Sequence, residues 1–174
     1  LGSLLVMTSI WAQAQRSNKY SDVLSLFREW RAFEQPPLYN GAPDYRKSTF
    51  EKRRPAFLQL QKRLQQIDTT GWSRPQQSDW MILWAEMNGY DFNQRVLKSW
   101  ERDPAFYKTI WMERSDVPAH EGPTHHAIID VWQYQFPLSA EAKNKMLKAL
   151  AVIPPLNQQA QQNLTGNAKE LWIA

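Results

Sequence analysis

The residues best suited to metal chemistry lie together in one segment of the chain. That segment holds all three histidines and a glutamate: His120, Glu121, His125 and His126. A zinc peptidase of the H-E-x-x-H type places two histidines four residues apart on one helix face, with the glutamate as general base. Thr124 occupies the fourth position after His120, and His125 lies about 140° further around a helix. The segment therefore lacks the helical metal motif.

Two interpretations of this segment stay open. Gly122 and Pro123 disfavour a continuous helix, and a loop could still gather the three histidines around a metal ion. The simpler interpretation is a polar loop that leads into a helix, with the histidine pair in its first turn. We expect no metal site in this chain and keep the His120–His126 segment as the weaker alternative.

Other catalytic arrangements find little support in the sequence. Cysteine is absent, which excludes disulfide and thiolate chemistry. The chain has no G-x-S-x-G motif, and its 6 glycines are too scattered to form a phosphate-binding loop. Its net charge is +4, and the basic residues are dispersed, whereas a nucleic-acid reader concentrates them on one face. We predict no catalytic residue and no nucleic-acid partner.

The segment W-E-R-D-P-A-F-Y, residues 100–107, is the most distinctive of the chain. It combines a helix end, a charged corner and a second helix that begins at a proline. One interpretation is a corner between helices, in which Arg102 pairs with Glu101 or Asp103 while the aromatic side chains pack. The other is a substrate groove, for which Trp100, Arg102 and Tyr107 are the substrate-cleft candidates.

The elements that must position these residues are helical. Apolar residues recur at three- and four-residue spacings and strict alternation is scarce, which predicts an all-α fold. We expect an irregular multi-helix array, broken at prolines, with no significant β-sheet. Ser139 is the expected N-cap of a late helix. The expected helices cover about residues 20–33, 45–67, 73–102, 105–112, 125–134, 139–153 and 158–164.

Three local expectations follow from the same patterns. Pro55 should divide or kink the second helix, because proline lacks the N–H and clashes with the preceding turn. Trp80, Trp84 and Met87 should point together into the core. The glutamine-rich stretch Gln158–Gln162 is interpreted as a polar helix face.

The first residues of the chain resemble the end of a secretory signal peptide. Residues 1–15 carry no charge and include a short apolar stretch followed by Ala12-Gln13-Ala14, the A-x-A pattern of a cleavage site. We expect a signal-peptide remnant over 1–14 and a helical N-terminal region of a longer, exported protein over 15–174. Such a protein is periplasmic, on the cell surface or secreted. The alternative is an amphipathic first helix, and no later segment predicts a transmembrane helix.

Several segments together resemble a known family. W-E-R-D-P-A-F-Y at 100–107, N-G-Y-D-F at 88–92 and V-L at 96–97 resemble the N-terminal half of the bacterial family labelled domain of unknown function 885. I-P-P at 153–155 and A-Q-Q-N-L at 160–164 resemble the stretch that follows in that family. The resemblance extends over residues 21–173.

The resemblance implies a long, largely helical protein similar to gluzincin-type zinc metallopeptidases. The family's metal motif lies far downstream, so no catalytic residue is transferred to this chain, and His120–His126 lacks the Pro-Gly of that motif. The implied role is a helical N-terminal region that helps to wall a substrate cleft. Its partner is the missing C-terminal domain of the same chain, with zinc in the full-length protein and a peptide as substrate.

Two other functions stay open. The nine tryptophans suggest a free-standing helical envelope binding module that uses Trp-rich surfaces to hold a peptide or glycan. The third hypothesis is a small metal enzyme that uses the loop at His120.

Overall fold

The computed structural model describes residues 17–112 and 127–166, and there the chain is mostly helical, as the sequence predicts. The elements in chain order are α1 Tyr20–Glu34, β1 Leu38–Tyr39, β2 Ala42–Pro43, α2 Lys47–Gln65, α3 Arg74–Phe92, α4 Ser99–Arg102, β3 Ile110–Trp111, β4 Ile129–Asp130, α5 Ala140–Leu150 and α6 Ile153–Asn163. A π-helical turn covers Asn93–Leu97, and 3-10 turns cover Pro104–Tyr107 and Val131–Gln133. The expected signal-peptide remnant, residues 1–14, lies outside the described residues.

Helices α1, α2 and α3 pack against one another around the larger of two core clusters. The aromatic members of this cluster are in mutual contact, with Trp30 edge-on to Tyr90 and tilted against Phe57. Its buried members are Val23, Leu26, Trp30, Phe57, Leu60, Leu64, Ile67, Leu83, Met87 and Tyr90. In the part of the chain that the structure describes, no helix combines the length and apolarity that a membrane crossing requires.

The expected division of the second helix at Pro55 is wrong, because α2 runs without interruption from Lys47 to Gln65. A proline inside a helix costs about 3 kcal/mol. Here buried side chains on both sides of it, among them Thr49 and Phe57, hold the two halves of the helix against their neighbours. Packing of the helix face therefore outweighs the local penalty.

The expectation that Trp84 points into the core is also wrong. Met87 is fully buried, and Trp80 packs at the edge of the cluster, where its Nε1–H donates to the carbonyl oxygen of Leu64 at 3.1 Å. Trp84 remains 46% exposed. The centre of the buried face is Leu83, and the next residue along a helix is turned about 100° away from it.

The smaller core cluster joins the turn before α2 to the helices α4 and α6. Its buried members are Ala42, Tyr45, Trp100, Phe106, Tyr107 and Leu156. The antiparallel pair β1–β2 leads into it through Asn40 and Gly41, which both have positive φ, as a tight turn requires. Pro154 lies in the first turn of α6, so the prolines there start a helix three residues after α5 ends.

The interpretation of Gln158–Gln162 as a polar helix face needs one correction, because Gln159 is 1% exposed. Its Oε1 accepts from the backbone N–H of Tyr45 at 2.7 Å, and its Nε2 donates to the carbonyl oxygen of Pro43 at 3.0 Å. Gln159 thus connects α6 to the segment between β2 and α2.

The segments around residues 105–112 and 125–134 are less helical than expected. Ile110–Trp111 and Ile129–Asp130 form a short parallel pair, and the turns beside them are 3-10 in character. The β-branched pair Ile128-Ile129 favours extended backbone. Ser139 is the N-cap of α5, as predicted, since its side chain accepts from the N–H of Ala142.

Asp44 gives the stability of the α2 entrance a pH dependence. The carboxylate is 4% exposed and accepts from Arg46 Nη2 and from Thr49 Oγ1, each at 2.7 Å. Burial by itself raises the pKa of Asp44, but the hydrogen bonds from Arg46 and Thr49 outweigh it and hold the pKa below its usual range.

We therefore expect Asp44→Asn to lower the free energy of unfolding by about 1–3 kcal/mol at neutral pH. A depressed pKa stabilises the fold above the pKa of the unfolded state, and this contribution is lost as pH falls through the folded-state pKa. The difference between the two proteins should shrink in acid, measured by urea unfolding between pH 7 and pH 3. A difference that stays constant in acid would contradict the assignment.

Candidate functional site

The three predicted substrate-cleft residues occupy different environments. Trp100 and Tyr107 belong to the smaller core cluster and are 5% and 8% exposed, whereas the Arg102 side chain is on the surface. The structure therefore brings Trp100 and Tyr107 together by burial and leaves Arg102 outside that cluster.

Tyr107 is held by a short chain of hydrogen bonds. Its hydroxyl donates to the carbonyl oxygen of Trp100 at 2.6 Å and accepts from Asn163 Nδ2 at 2.7 Å. Burial raises the pKa of Tyr107 to about 12. The hydroxyl consequently stays protonated at neutral pH and positions α4 and α6 rather than exchanging protons.

The charged corner between Trp100 and Tyr107 is stabilised by a capping hydrogen bond. The Asp103 side chain accepts from the backbone N–H of Ala105 at 2.9 Å, and Pro104 follows in the first turn, where a missing N–H costs least. Asp103 and Pro104 thus turn the chain, so that Phe106 and Tyr107 pack beneath Trp100.

Trp100 also borders a cavity of about 140 Å³ between α2, the end of α3 and α4. Four aromatic side chains line it: Phe50, Phe57, Tyr90 and Trp100. The rings of Phe50 and Trp100 lie 4.7 Å apart, and those of Phe57 and Tyr90 lie 4.9 Å apart. The cavity therefore lies where the two core clusters meet.

Three buried polar atoms on the cavity residues have no hydrogen-bond partner among the described residues. They are Gln94 Oε1, Trp100 Nε1 and Glu101 Oε2. Lys98 Nζ lies 4.0 Å from the Glu101 oxygen, which is an ion-pair distance but too long for a hydrogen bond. Leaving a buried polar group unpaired costs about 1–3 kcal/mol. Such a concentration around one cavity is unusual for a purely structural region.

The backbone beside the cavity departs from regular helix. After α3 the chain makes a π-helical turn, closed by a bond of 2.8 Å from the Lys98 N–H to the Asn93 carbonyl oxygen. Lys98 then adopts a left-handed conformation with φ of 49° before α4 begins. π-helical turns and left-handed non-glycine residues are enriched at functional sites.

Sequence reasoning identified Trp100 but missed Gln94 and Glu101 as members of one site. The pattern between residues 73 and 102 predicted a single helix, on which Trp100 is turned about 100° from Glu101 and about 120° from Gln94. No periodic signal marks an inserted residue of a π-helical turn. The motif at 100–107 includes Trp100 and Glu101, which both line this cavity.

A second, wider depression lies beside α5. It has a volume of about 590 Å³ and is bounded by the segment 128–139 and by α5 residues such as Glu141 and Lys145. Asp130 and Tyr134 lie on the opposite side. This cleft is broader and more polar than the aromatic cavity.

No group of three or more metal-ligating side chains occurs within residues 17–112 and 127–166. The weaker metal alternative, His120, Glu121, His125 and His126, lies outside these described residues. Comparison of the chain with protein-family models, with curated proteins and with solved structures finds no match.

Proposed function

We propose that this chain is the helical N-terminal region of a longer, exported, metallopeptidase-like protein, and that it helps to wall the substrate cleft. In this proposal the catalytic motif and its zinc belong to the downstream part, and the substrate is a peptide. The observation that carries the proposal is that two apolar helix faces are left uncovered by residues 17–112 and 127–166.

The first uncovered surface, the α1–α3 face, consists of Leu24, Phe27 and Ile82. These side chains are 39%, 38% and 54% exposed. Leu24, Phe27 and Ile82 also line a groove of about 320 Å³ between the two helices. Contiguous exposed apolar patches usually mark a surface on which another protein body packs.

The second uncovered surface is the apolar stripe of α5. Met146, Leu147 and Leu150 fall on one side of this amphipathic helix, yet no residue of α5 is buried and Leu147 is 54% exposed. A surface helix normally buries its apolar face. Because α5 also borders the 590 Å³ cleft through residues such as Lys145 and Ala149, a body packed on its stripe would lie beside that cleft.

The alternative proposal is a free-standing envelope binding module. What favours it is that Trp84 and Trp132 are 46% and 41% exposed, since exposed indoles suit a peptide or glycan. They lie on α3 and on the 3-10 turn after β4, and the remaining tryptophans of the described residues are at least half-buried within the fold. A continuous row of exposed indoles, which a binding platform needs, is thus not formed by the described residues.

Reading the gene beyond the codon for Ala174 tests the main proposal directly. We expect the open frame to continue for several hundred residues and to encode an H-E segment followed by an H-H pair. A stop codon immediately after Ala174 would overturn the proposal and leave the binding module as the better account.

In the full-length protein, Ile82→Glu and Leu147→Glu should each loosen the docking of this region. A carboxylate introduced into an apolar interface loses its hydration, so we expect exchange of the α5 and α3 amides to accelerate by about tenfold or more. The measurement is hydrogen exchange followed by mass spectrometry. Leu58→Glu is the matched control, because Leu58 is 44% exposed on α2 and lines neither the α1–α3 groove nor the cleft beside α5. Equal acceleration by all three variants would count against docking at these faces.

A further inference from the structure

The aromatic cavity has the size of a small ring. A cavity of roughly 150 Å³ is enough to hold a benzene molecule, and this one measures about 140 Å³. Phe50, Phe57, Tyr90 and Trp100 supply flat apolar walls, which suit the faces of a planar ligand.

The polar atoms around the cavity specify which hydrogen-bonding groups the ring should carry. Gln94 Oε1 and Glu101 Oε2 are acceptors, and Trp100 Nε1–H is a donor. The complement of two acceptors and one donor is a group with two N–H donors and one carbonyl acceptor. A primary carboxamide has this composition, whereas a carboxylate offers only acceptors and an ammonium only donors.

The charges around the cavity favour a neutral ligand. Arg54 is already paired with Asp91 at 3.0 Å, and Lys98 lies 4.0 Å from Glu101. The remaining lining charges, Lys47 and Glu51, have opposite signs. The site therefore has no surplus charge with which to attract an anion or a cation.

We propose that this cavity is a binding site for a small neutral aryl carboxamide, with its ring between the aromatic walls and its amide on Gln94, Trp100 and Glu101. The three polar atoms are buried from water, and the proposal therefore includes a rotation of these side chains that turns the atoms toward the ligand when it binds. The site is separate from the α1–α3 face and from α5. Ligand binding in the cavity can therefore be tested independently of docking at those two surfaces.

Benzamide is the probe for this site, and the indole N–H signals of the full chain, labelled with ¹⁵N, are the readout. The Trp100 signal is assigned by its disappearance in Trp100→Phe. We expect saturable shifts of that signal with a Kd of about 1 mM or tighter, as a ligand of this size allows. Benzoate and benzylamine, which match the ring but not the hydrogen-bonding set, should bind at least about tenfold more weakly.

Two variants locate the contact. Glu101→Gln should weaken benzamide about tenfold or more, because it replaces a carboxylate acceptor by an amide. Glu141→Gln is the matched control, since Glu141 is exposed on α5 and does not line the cavity, and the benzamide affinity should change less than about twofold. The remaining indole signals report whether each variant is folded. Equal binding of benzamide and benzoate, or no saturable shift of Trp100 with benzamide, would overturn the proposal.

Discussion

Trp30→Ala is expected to lower the free energy of unfolding by about 3–5 kcal/mol, which is the usual cost of deleting a large buried aromatic side chain. Trp30 is 0% exposed and lies at the meeting point of α1, α2 and α3. Its ring contacts Tyr90 edge-on at a centroid distance of 5.3 Å, and its Nε1–H donates to Glu86 Oε2 at 3.0 Å. Alanine would remove these contacts and leave a cavity that the three helices cannot close.

Urea unfolding followed by circular dichroism measures this loss. Trp84→Ala is the matched control, because it deletes the same side chain from a site that is 46% exposed, and we expect it to cost about 1 kcal/mol or less. Trp30→Phe keeps a large ring but removes the donor to Glu86, so its cost should be intermediate. Similar losses for Trp30→Ala and Trp84→Ala would mean that the core is not centred on Trp30.

This pair of tryptophans also shows how far periodicity predicts a fold. The spacing of apolar residues correctly predicted helices over α1, α2 and α3, because each must bury one face. It could not fix the centre of that face, which depends on how neighbouring helices cross. An error of one residue turns the face by about 100°, and this is why Trp84 was predicted to lie where Leu83 is buried.

The short strands and the π-helical turn could not be predicted from the sequence, for a different reason. The pairing of Ile110 with Ile129 joins residues far apart in the sequence, and nothing in either local pattern specifies the other. Gln94 and Glu101 border one cavity together with Trp100, and the π-helical turn that lies in this segment was not predicted by the helical periodicity. Trp100 could be selected because its motif is distinctive, but its neighbours around the cavity are set by tertiary structure.

The role of Gln159 could not be predicted from composition. Its substitution is expected to cause a large loss in the free energy of unfolding. In a run of glutamines it resembles its solvated neighbours, yet it is buried with both ends of its amide bonded to backbone. Gln159→Leu keeps the approximate volume but breaks the hydrogen bonds that Gln159 makes to the Tyr45 N–H and the Pro43 carbonyl. At about 1–3 kcal/mol for each of these two buried bonds, we expect a loss of about 2–6 kcal/mol.

The matched control for this substitution is the adjacent Gln158→Leu, because Gln158 is exposed and its change should stay within about 0.5 kcal/mol. Equilibrium unfolding in urea measures both variants, and a lower slope for Gln159→Leu would indicate that its folded state buries less surface. Because Asn163 in the same helix also donates to Tyr45 and Tyr107, detachment of α6 should expose the buried hydroxyl of Tyr107. Its pKa, about 12 in the intact fold, should then fall toward the ordinary value of a tyrosine in Gln159→Leu but not in Gln158→Leu. An unaltered Tyr107 titration together with wild-type stability would show that α6 is held by its apolar contacts alone.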